Sequence, residues 1–206
     1  MLIGISILAA CSDEAFPADR PDDTYVLQDM LLEAVDLPVP MEQTATNTFD
    51  NVGWAQLFDV EDFDAKRNQL DARRRIVGAV RIFSWDDPIQ HLGGPTLITV
   101  HSTLYEDIPA AEDSMSLFCG MPIDESTAPE VAEFWVEGIG DQSQGLILAQ
   151  PPTEIGRLLD TVVCFRTGRI VHAVVQNGLE GTQDVGLSLR MAQRMFERVS
   201  AAFDEL

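Results

Sequence analysis

Apolar residues recur along this chain with two different spacings, and the two spacings predict its elements. Stretches rich in β-branched and aromatic residues predict strands, over residues 74–84, 96–105, 133–140, 145–149, 161–165 and 170–175. Apolar residues three and four positions apart predict helices, over residues 24–35, 59–73, 109–119 and 185–203. Residues 41–49 are expected to form a loop or a short strand.

The two strands joined by Arg166-Thr167-Gly168-Arg169 predict a tight hairpin, because glycine supplies the positive φ that such a turn needs. With a two-residue loop, one face of this hairpin carries Val162, Cys164, Val171, Ala173 and Val175. The other face carries Val163, Phe165, Ile170, His172 and Val174. Both faces are mostly apolar, so we expect both to be covered. Together with the terminal helices, this predicts an α+β fold, an antiparallel sheet covered by helices.

The first eleven residues differ from the rest of the chain. Leu2 to Ala10 carry no charge, and these nine residues are too few to span a bilayer, which takes about 20. The run ends in Leu8-Ala9-Ala10-Cys11 and turns polar at once. This tetrad resembles the lipobox of bacterial lipoproteins, although no Lys or Arg precedes the run. The resemblance implies cleavage before Cys11 and lipid on its thiol; a buried N-terminal strand is the alternative.

The resulting domain organisation has three parts. Residues 1–11 are the expected lipoprotein signal with its lipobox. Residues 12–23 are acidic, contain proline and lack periodicity, so they predict a tether between lipid and domain. Residues 24–206 form the single globular domain, which at this length can bury a sufficient core.

The other two cysteines form an even pair, because lipidation would consume Cys11. In an oxidising compartment Cys119 and Cys164 can form a disulfide. The alternative is two separate buried thiols, which pack like small apolar side chains. Their spacing differs from the close pairs that bind zinc.

The charge of the chain excludes one class of partner. The sequence has 34 acidic and 13 basic residues, for a net charge of -21, with Lys66 as its single lysine. Nucleic acid binding requires cations that displace counterions from phosphates, and no basic stripe is visible. Charge by itself also disfavours adhesion to anionic lipid, so the expected membrane contact is the lipid on Cys11.

Histidines and glycines do not form a recognisable catalytic or cofactor motif. His91, His101 and His172 lie far apart in the sequence, and we expect each to be structural. Gly138-Ile139-Gly140 lacks the third glycine of a dinucleotide site and predicts a turn.

The acidic run at residues 59–64 lacks the glycine and the distal glutamate of a calcium loop. Trp54, Trp85 and Trp135 are expected to pack in the core or at its rim rather than to form a ligand platform. The sequence therefore predicts no catalytic, cofactor or metal site.

A family resemblance is visible in the second half of the chain. Gly138-Ile139-Gly140-Asp141, followed by the hairpin of residues 162–175 and a terminal helix, resembles small bacterial lipoproteins with a PsbP-like fold. The same order of elements also resembles extracytoplasmic sensor domains. The resemblance implies an α/β sandwich and export, and it brings no catalytic residues with it.

Three functions are compatible with these observations. The first is a membrane-tethered extracytoplasmic lipoprotein with a non-enzymatic binding or accessory role. The second is a sensor or ligand-binding module with a pocket beside the sheet. The third is a hydrolase, which would need His101 or His172 beside a carboxylate and a hydroxyl group.

Overall fold

The computed structural model describes residues 16–57, 63–117, 119, 130–154 and 156–204. Its strands are β1 Glu42–Phe49, β2 Arg75–Ser84, β3 Pro95–Tyr105, β4 Glu130–Phe134, β5 Gln142–Ala149, β6 Leu158–Thr167 and β7 Ile170–Leu179. Its α-helices are α1 Asn51–Leu57, α2 Phe63–Ala72, α3 Ile108–Ser116 and α4 Val185–Asp204. Within the described residues, all seven strands form one antiparallel sheet in the order β1-β2-β3-β7-β6-β5-β4. The predicted α+β class is confirmed.

The β6–β7 hairpin confirms the predicted register. Val162 lies opposite Val175 and Cys164 lies opposite Ala173, across a two-residue turn at Gly168 and Arg169. Gly168 has a φ of 56°, which only glycine adopts at low cost. The hairpin lies at the centre of the sheet and is covered on both faces, as its apolar character predicts.

One face of the sheet, here called the strap face, is covered by α4 and by residues 16–41, the N-terminal strap. It carries Val100, Val163 and Val174. Helix α4 begins where expected, because the Asp184 carboxylate accepts a hydrogen bond from the Leu187 backbone N–H at 2.9 Å.

The buried stripe of α4 differs at its first turns from the prediction. Leu187, Ser188 and Met191 are buried, whereas Val185 and Leu189 are partly exposed. The Ser188 hydroxyl donates to Gln176 of β7 at 2.9 Å, so a polar contact with the sheet sets the rotation of this end of the helix.

The N-terminal strap is not the helix predicted over residues 24–35. Its regular structure consists of short 3₁₀ turns at Asp22–Thr24 and Ala34–Asp36. Met30, Leu31 and Leu32 are all buried, and three consecutive residues cannot share one face of a helix. The Leu32 carbonyl accepts a hydrogen bond at 2.7 Å from Arg81 of β2. The Arg81 side chain therefore takes the place of the backbone N–H that would bind this carbonyl in a helix.

The strap also shortens the predicted tether. The Phe16 ring packs against Phe203 with ring centroids 5.0 Å apart, and the Arg20 carbonyl accepts a hydrogen bond from Arg169 at 2.6 Å. Arg169 also pairs with Asp22 at 2.6 Å. Residues 16–23 therefore belong to the domain, while the lipobox and residues 12–15 lie outside the described residues.

The opposite face, here called the cleft face, is covered by α3 over the central strands and by α1 and α2 over β1 and β2. Helix α3 ends at Ser116, three residues before Cys119, so the prediction of a helix through Cys119 is wrong. Cys119 has a φ of 61°, which is outside the helical range. Helix α1 was not predicted.

Strand β4 ends earlier than its prediction over residues 133–140. Val136 and Ile139 leave the strand and enter the core of the strap face. Gly138 and Gly140 have φ values of 74° and 67°, so the predicted turn at Gly138-Ile139-Gly140 is confirmed. None of the helices in the described ranges is long and apolar enough to cross a membrane.

Candidate functional site

The structure joins Cys119 and Cys164 in a disulfide. Their Cα atoms are 5.9 Å apart, within the limit of about 7 Å for such a bond. The bond links the chain beyond α3 to β6 in the middle of the cleft face. Of the residues singled out from the sequence, these two are brought together, and Cys11 lies outside the described residues.

His172 of β7 is enclosed beneath the strap-face helix. One ring nitrogen bonds the Ser102 hydroxyl at 2.8 Å and the other bonds the Thr167 hydroxyl at 2.8 Å. The ring stacks on Phe165, with centroids 4.8 Å apart. Burial, and then the positive charge of His101 when protonated, lower the pKa of His172 to about 3. This neutral ring has two hydroxyl partners and no solvent access, which supports a structural role.

His101 of β3 lies on the cleft face with a different environment. Its side chain is buried, and neither ring nitrogen has a hydrogen-bond partner in the described part of the chain. The ring meets Trp54 of α1 edge-on, with centroids 6.5 Å apart. Burial, followed by the charge of Arg75, lowers the pKa of His101 to about 4. A buried imidazole without partners is uncommon in native proteins.

Arg75, at the start of β2, places a buried cation beside His101. Its guanidinium donates to the Asn51 amide oxygen at 2.8 Å and to the Phe49 carbonyl at 3.2 Å, and it lies 4.8 Å from the centre of the Trp54 ring. These acceptors are neutral. Burial lowers the pKa of Arg75 to about 10, opposed by Tyr105 and Asp50.

Gly78 makes this position of Arg75 possible. A Cβ atom at residue 78 would lie 2.5 Å from the Arg75 Nη2 atom and 3.1 Å from the Thr103 hydroxyl. The guanidinium therefore rests directly on the backbone of β2, in space that any larger residue would occupy.

A cleft of about 340 Å³ separates the end of α2 from α3 on the same face of the sheet. Its lining consists of Ala72, Arg73, Arg74, Ala110, Asp113, Ser114, Ser116 and Leu117. The Ser114 hydroxyl bonds the hydroxyl of buried Tyr105. Burial raises the pKa of Tyr105, while Ser114, Arg75 and Arg73 lower it, so both arginines lie near this hydroxyl pair.

Arg74 fixes one end of the cleft. It adopts a positive φ of 54° and forms an ion pair with Asp107, the residue that caps α3. Its carbonyl accepts a hydrogen bond from the Glu106 backbone N–H at 3.0 Å. The turn after α2 and the start of α3 are thereby held against each other, which sets the width of the cleft.

The cleft was not found from the sequence, although one signal was present. Arg73, Arg74 and Arg75 are consecutive in a chain with only 13 basic residues. A clustered basic run in an acidic chain points to a local site for negative charge. The run is too short to form a basic stripe of the kind that binds nucleic acid.

The tryptophans divide into two groups. Trp54 is buried, and the Trp85 indole donates to the Pro95 carbonyl at 2.8 Å and stacks on His91 with centroids 3.9 Å apart, so the packing prediction is confirmed for both. For Trp135 that prediction is wrong, because its side chain is 81% exposed. In the described ranges no cluster of His, Cys, Asp and Glu is arranged to hold a metal ion.

Comparison with known proteins supports the architecture. No protein-family model and no curated protein matches the chain. Among solved structures, the extracellular domain of PknH from Mycobacterium tuberculosis is similar, with a TM-score of 0.54 and 11% identity over 85% of this chain and 95% of that domain. At this identity the likeness shows the fold alone. The PsbP-like assignment is not confirmed.

Proposed function

We propose that this protein is a membrane-tethered extracytoplasmic domain that binds a small anionic ligand in the cleft between α2 and α3, without catalysing a reaction on it. Lipid on Cys11 would provide the tether. The ligand would carry a carboxylate or a phosphate group. The first two functions that the sequence allows, a binding role and a ligand-binding module, are then one and the same.

The observation that carries this proposal is the position of the basic run. Arg73 and Arg74 lie on one wall of the cleft, and Arg75 lies behind it as a buried cation without a carboxylate contact among the described residues. The opposite wall carries the hydroxyl groups of Ser114 and Ser116, which are bonded to the Tyr105 hydroxyl and to the Asp113 carbonyl. Guanidinium groups bind carboxylates and phosphates by charge-assisted hydrogen bonds. Asp113 on the same wall would favour ligands that also carry a donor group.

Two further observations support export. The Cys119–Cys164 disulfide is a bond that persists in oxidising compartments and is rare in the cytosol. The fold is similar to that of an extracellular domain. A catalytic role is less well supported, because His172 is enclosed between two hydroxyl groups and His101 lacks partners.

Thermal melting with added anions tests the ligand site. Phosphate, sulfate and citrate would be titrated at constant ionic strength, and at least one should raise the melting temperature by mass action. Ser116→Trp, at an exposed position on the wall, should block this rise by filling the cleft. Gln90→Trp, on an exposed turn elsewhere, is the matched control. Equal shifts in both variants, or no shift with any anion, would contradict the proposal.

The tether is tested separately. When the protein is expressed with its complete leader, it should partition into the detergent phase, and Cys11→Ala should stay in the aqueous phase. Stable anchoring takes more than one acyl chain, at about 0.8 kcal/mol per buried methylene. Aqueous partitioning of both proteins would exclude the lipid anchor and would leave the cleft measurement unaffected.

A further inference from the structure

Trp135 presents its indole to solvent from the end of β4, and 81% of its surface is exposed. It follows β4 directly, and its neighbour Val136 is buried in the core of the strap face together with Ile139. The Ser143 hydroxyl donates to the Val136 carbonyl at 3.3 Å. The backbone on the C-terminal side of Trp135 is therefore anchored, while the large apolar side chain of Trp135 is left exposed to solvent.

Beside the indole lies a shallow, open groove of about 400 Å³. Its apolar lining consists of Trp135, Val136, Ile139 and Leu189 of α4. Its polar lining consists of Glu137, Arg190 and Gln193. The groove is thus an aromatic platform with hydrogen-bonding side chains around it.

The polar groups are available for a ligand. The Trp135 indole N–H donates to the Glu137 carboxylate at 3.4 Å, a long contact that leaves the other acceptor positions open. Arg190 is 3.7 Å from the Asp184 carboxylate, and both side chains are more than half exposed, so this pair is weak. Gln193 is exposed on the same side of α4.

We propose that this groove is a binding site for a neutral saccharide, with one sugar ring stacked on Trp135. The C–H bonds on the face of a pyranose ring carry partial positive charge and complement the negative face of the indole. The sugar hydroxyls both donate and accept, so they can bond the Glu137 carboxylate and the donors of Arg190 and Gln193 together.

Other ligands satisfy this set of groups less well. A purely apolar partner would bury three polar side chains without hydrogen bonds, which costs free energy for each of them. An anionic partner would be attracted by Arg190 and repelled by the carboxylate of Glu137, so the charges of the groove give no net preference for an anion. Sugars with equatorial hydroxyl groups leave their C–H faces open for stacking, which makes glucose and N-acetylglucosamine oligomers the best fit.

NMR of the indole N–H signals of the purified protein tests this proposal. Probes are β-1,4-linked oligomers of glucose and of N-acetylglucosamine, with a short leucine-containing peptide as the alternative occupant. The Trp135 signal, assigned by its loss in Trp135→Phe, should shift with at least one oligomer, while the Trp54 signal stays unchanged. Trp135→Ala should weaken binding about tenfold or more, and Trp135→Phe should weaken it less.

Ile89→Ala is the matched control, because Ile89 is another exposed apolar side chain, 78% exposed. It should bind the oligomer like the wild type. The proposal is overturned if neither oligomer shifts the Trp135 signal, if the peptide alone does so, or if Trp135→Ala retains full affinity. Because Ala and Phe at this exposed position leave the core intact, loss of binding can be separated from loss of folding by circular dichroism.

Discussion

The sheet buries one histidine on each face, and the two have opposite environments. On the strap face, both nitrogens of His172 are bonded to hydroxyl groups of neighbouring strands. On the cleft face, both nitrogens of His101 are buried without a hydrogen bond in the described residues. Sequence context does not distinguish them, since each lies in a β-strand between apolar or small residues.

The difference indicates that the strap face contributes mainly to stability and the cleft face mainly to function. His172 links β3, β6 and β7 beneath α4, so it contributes to the fold. The ring nitrogens of His101 have no hydrogen bond among the described residues, and the buried charge of Arg75 meets neutral acceptors there. Such local conflicts are expected at functional sites. The cleft face also depends on a covalent bond, whereas the described contacts of the strap are noncovalent. Four variants test this division.

Removing the disulfide should produce the largest loss, because it releases the cleft face from its covalent link. Closing a loop between cysteines 45 residues apart contributes about 4 kcal/mol through the entropy of the unfolded chain. We expect Cys119→Ala combined with Cys164→Ala to lower the free energy of unfolding in urea by up to that amount. Thiol labelling of the unfolded wild type without reductant should find neither cysteine, and labelling of both would contradict the bond.

His172→Leu should be the next most damaging change. It leaves the buried hydroxyls of Ser102 and Thr167 without this partner, at a cost of about 1.5 kcal/mol for each hydroxyl, towards the lower end for an unsatisfied buried group. Urea unfolding at pH 7 measures the loss. Adding Ser102→Ala should recover part of it, since removing both partners costs less than removing one. A loss no greater than that of His101→Leu would refute the assigned difference.

Asp36→Asn should loosen the strap with a smaller effect, about 1–2 kcal/mol. Burial opposes ionisation of Asp36, but the Glu33 backbone N–H, Arg194 and Arg198 together lower its pKa. The variant should expose residues 16–41 to proteolysis at lower temperature. Asp64→Asn is the control, because the exposed pair of Asp64 with Arg67 contributes little. Equal effects of the two substitutions would show that the strap is held by apolar packing.

His101→Leu should change stability least at pH 7, because no hydrogen bond is lost. Its effect appears in acid. The folded pKa of about 4 lies below the unfolded value of about 6.5, so the unfolded state binds the extra proton between these pH values and wild-type stability falls as pH decreases. At pH 5 protonation of His101 in the unfolded state should lower the free energy of unfolding of the wild type by about 2 kcal/mol, and the variant should not show this decrease. Parallel pH profiles of the two proteins, measured by urea unfolding, would contradict the burial of a neutral His101.

Much of the fold followed from local patterns. The alternation of residues 162–175 predicted the register of the central hairpin and its cover on both faces, because side chains in a strand alternate between faces. The later turns of the α4 stripe and the strands β2 and β3 followed in the same way. The pairing of Cys119 with Cys164 stayed open, because a spacing of 45 residues does not determine a distance.

Tertiary contacts decided the strap and the site. Residues 24–35 have a helical pattern, but Arg81, fifty residues away, binds the carbonyls of Leu31 and Leu32 and stabilises turns instead. The cleft combines residues 72–74 with residues 110–117, and the groove at Trp135 combines a turn with α4. By itself, the sequence determined what each segment can form locally, since that depends on neighbouring side chains. Only the tertiary structure decided which exposed groups face one another, because that depends on long-range packing.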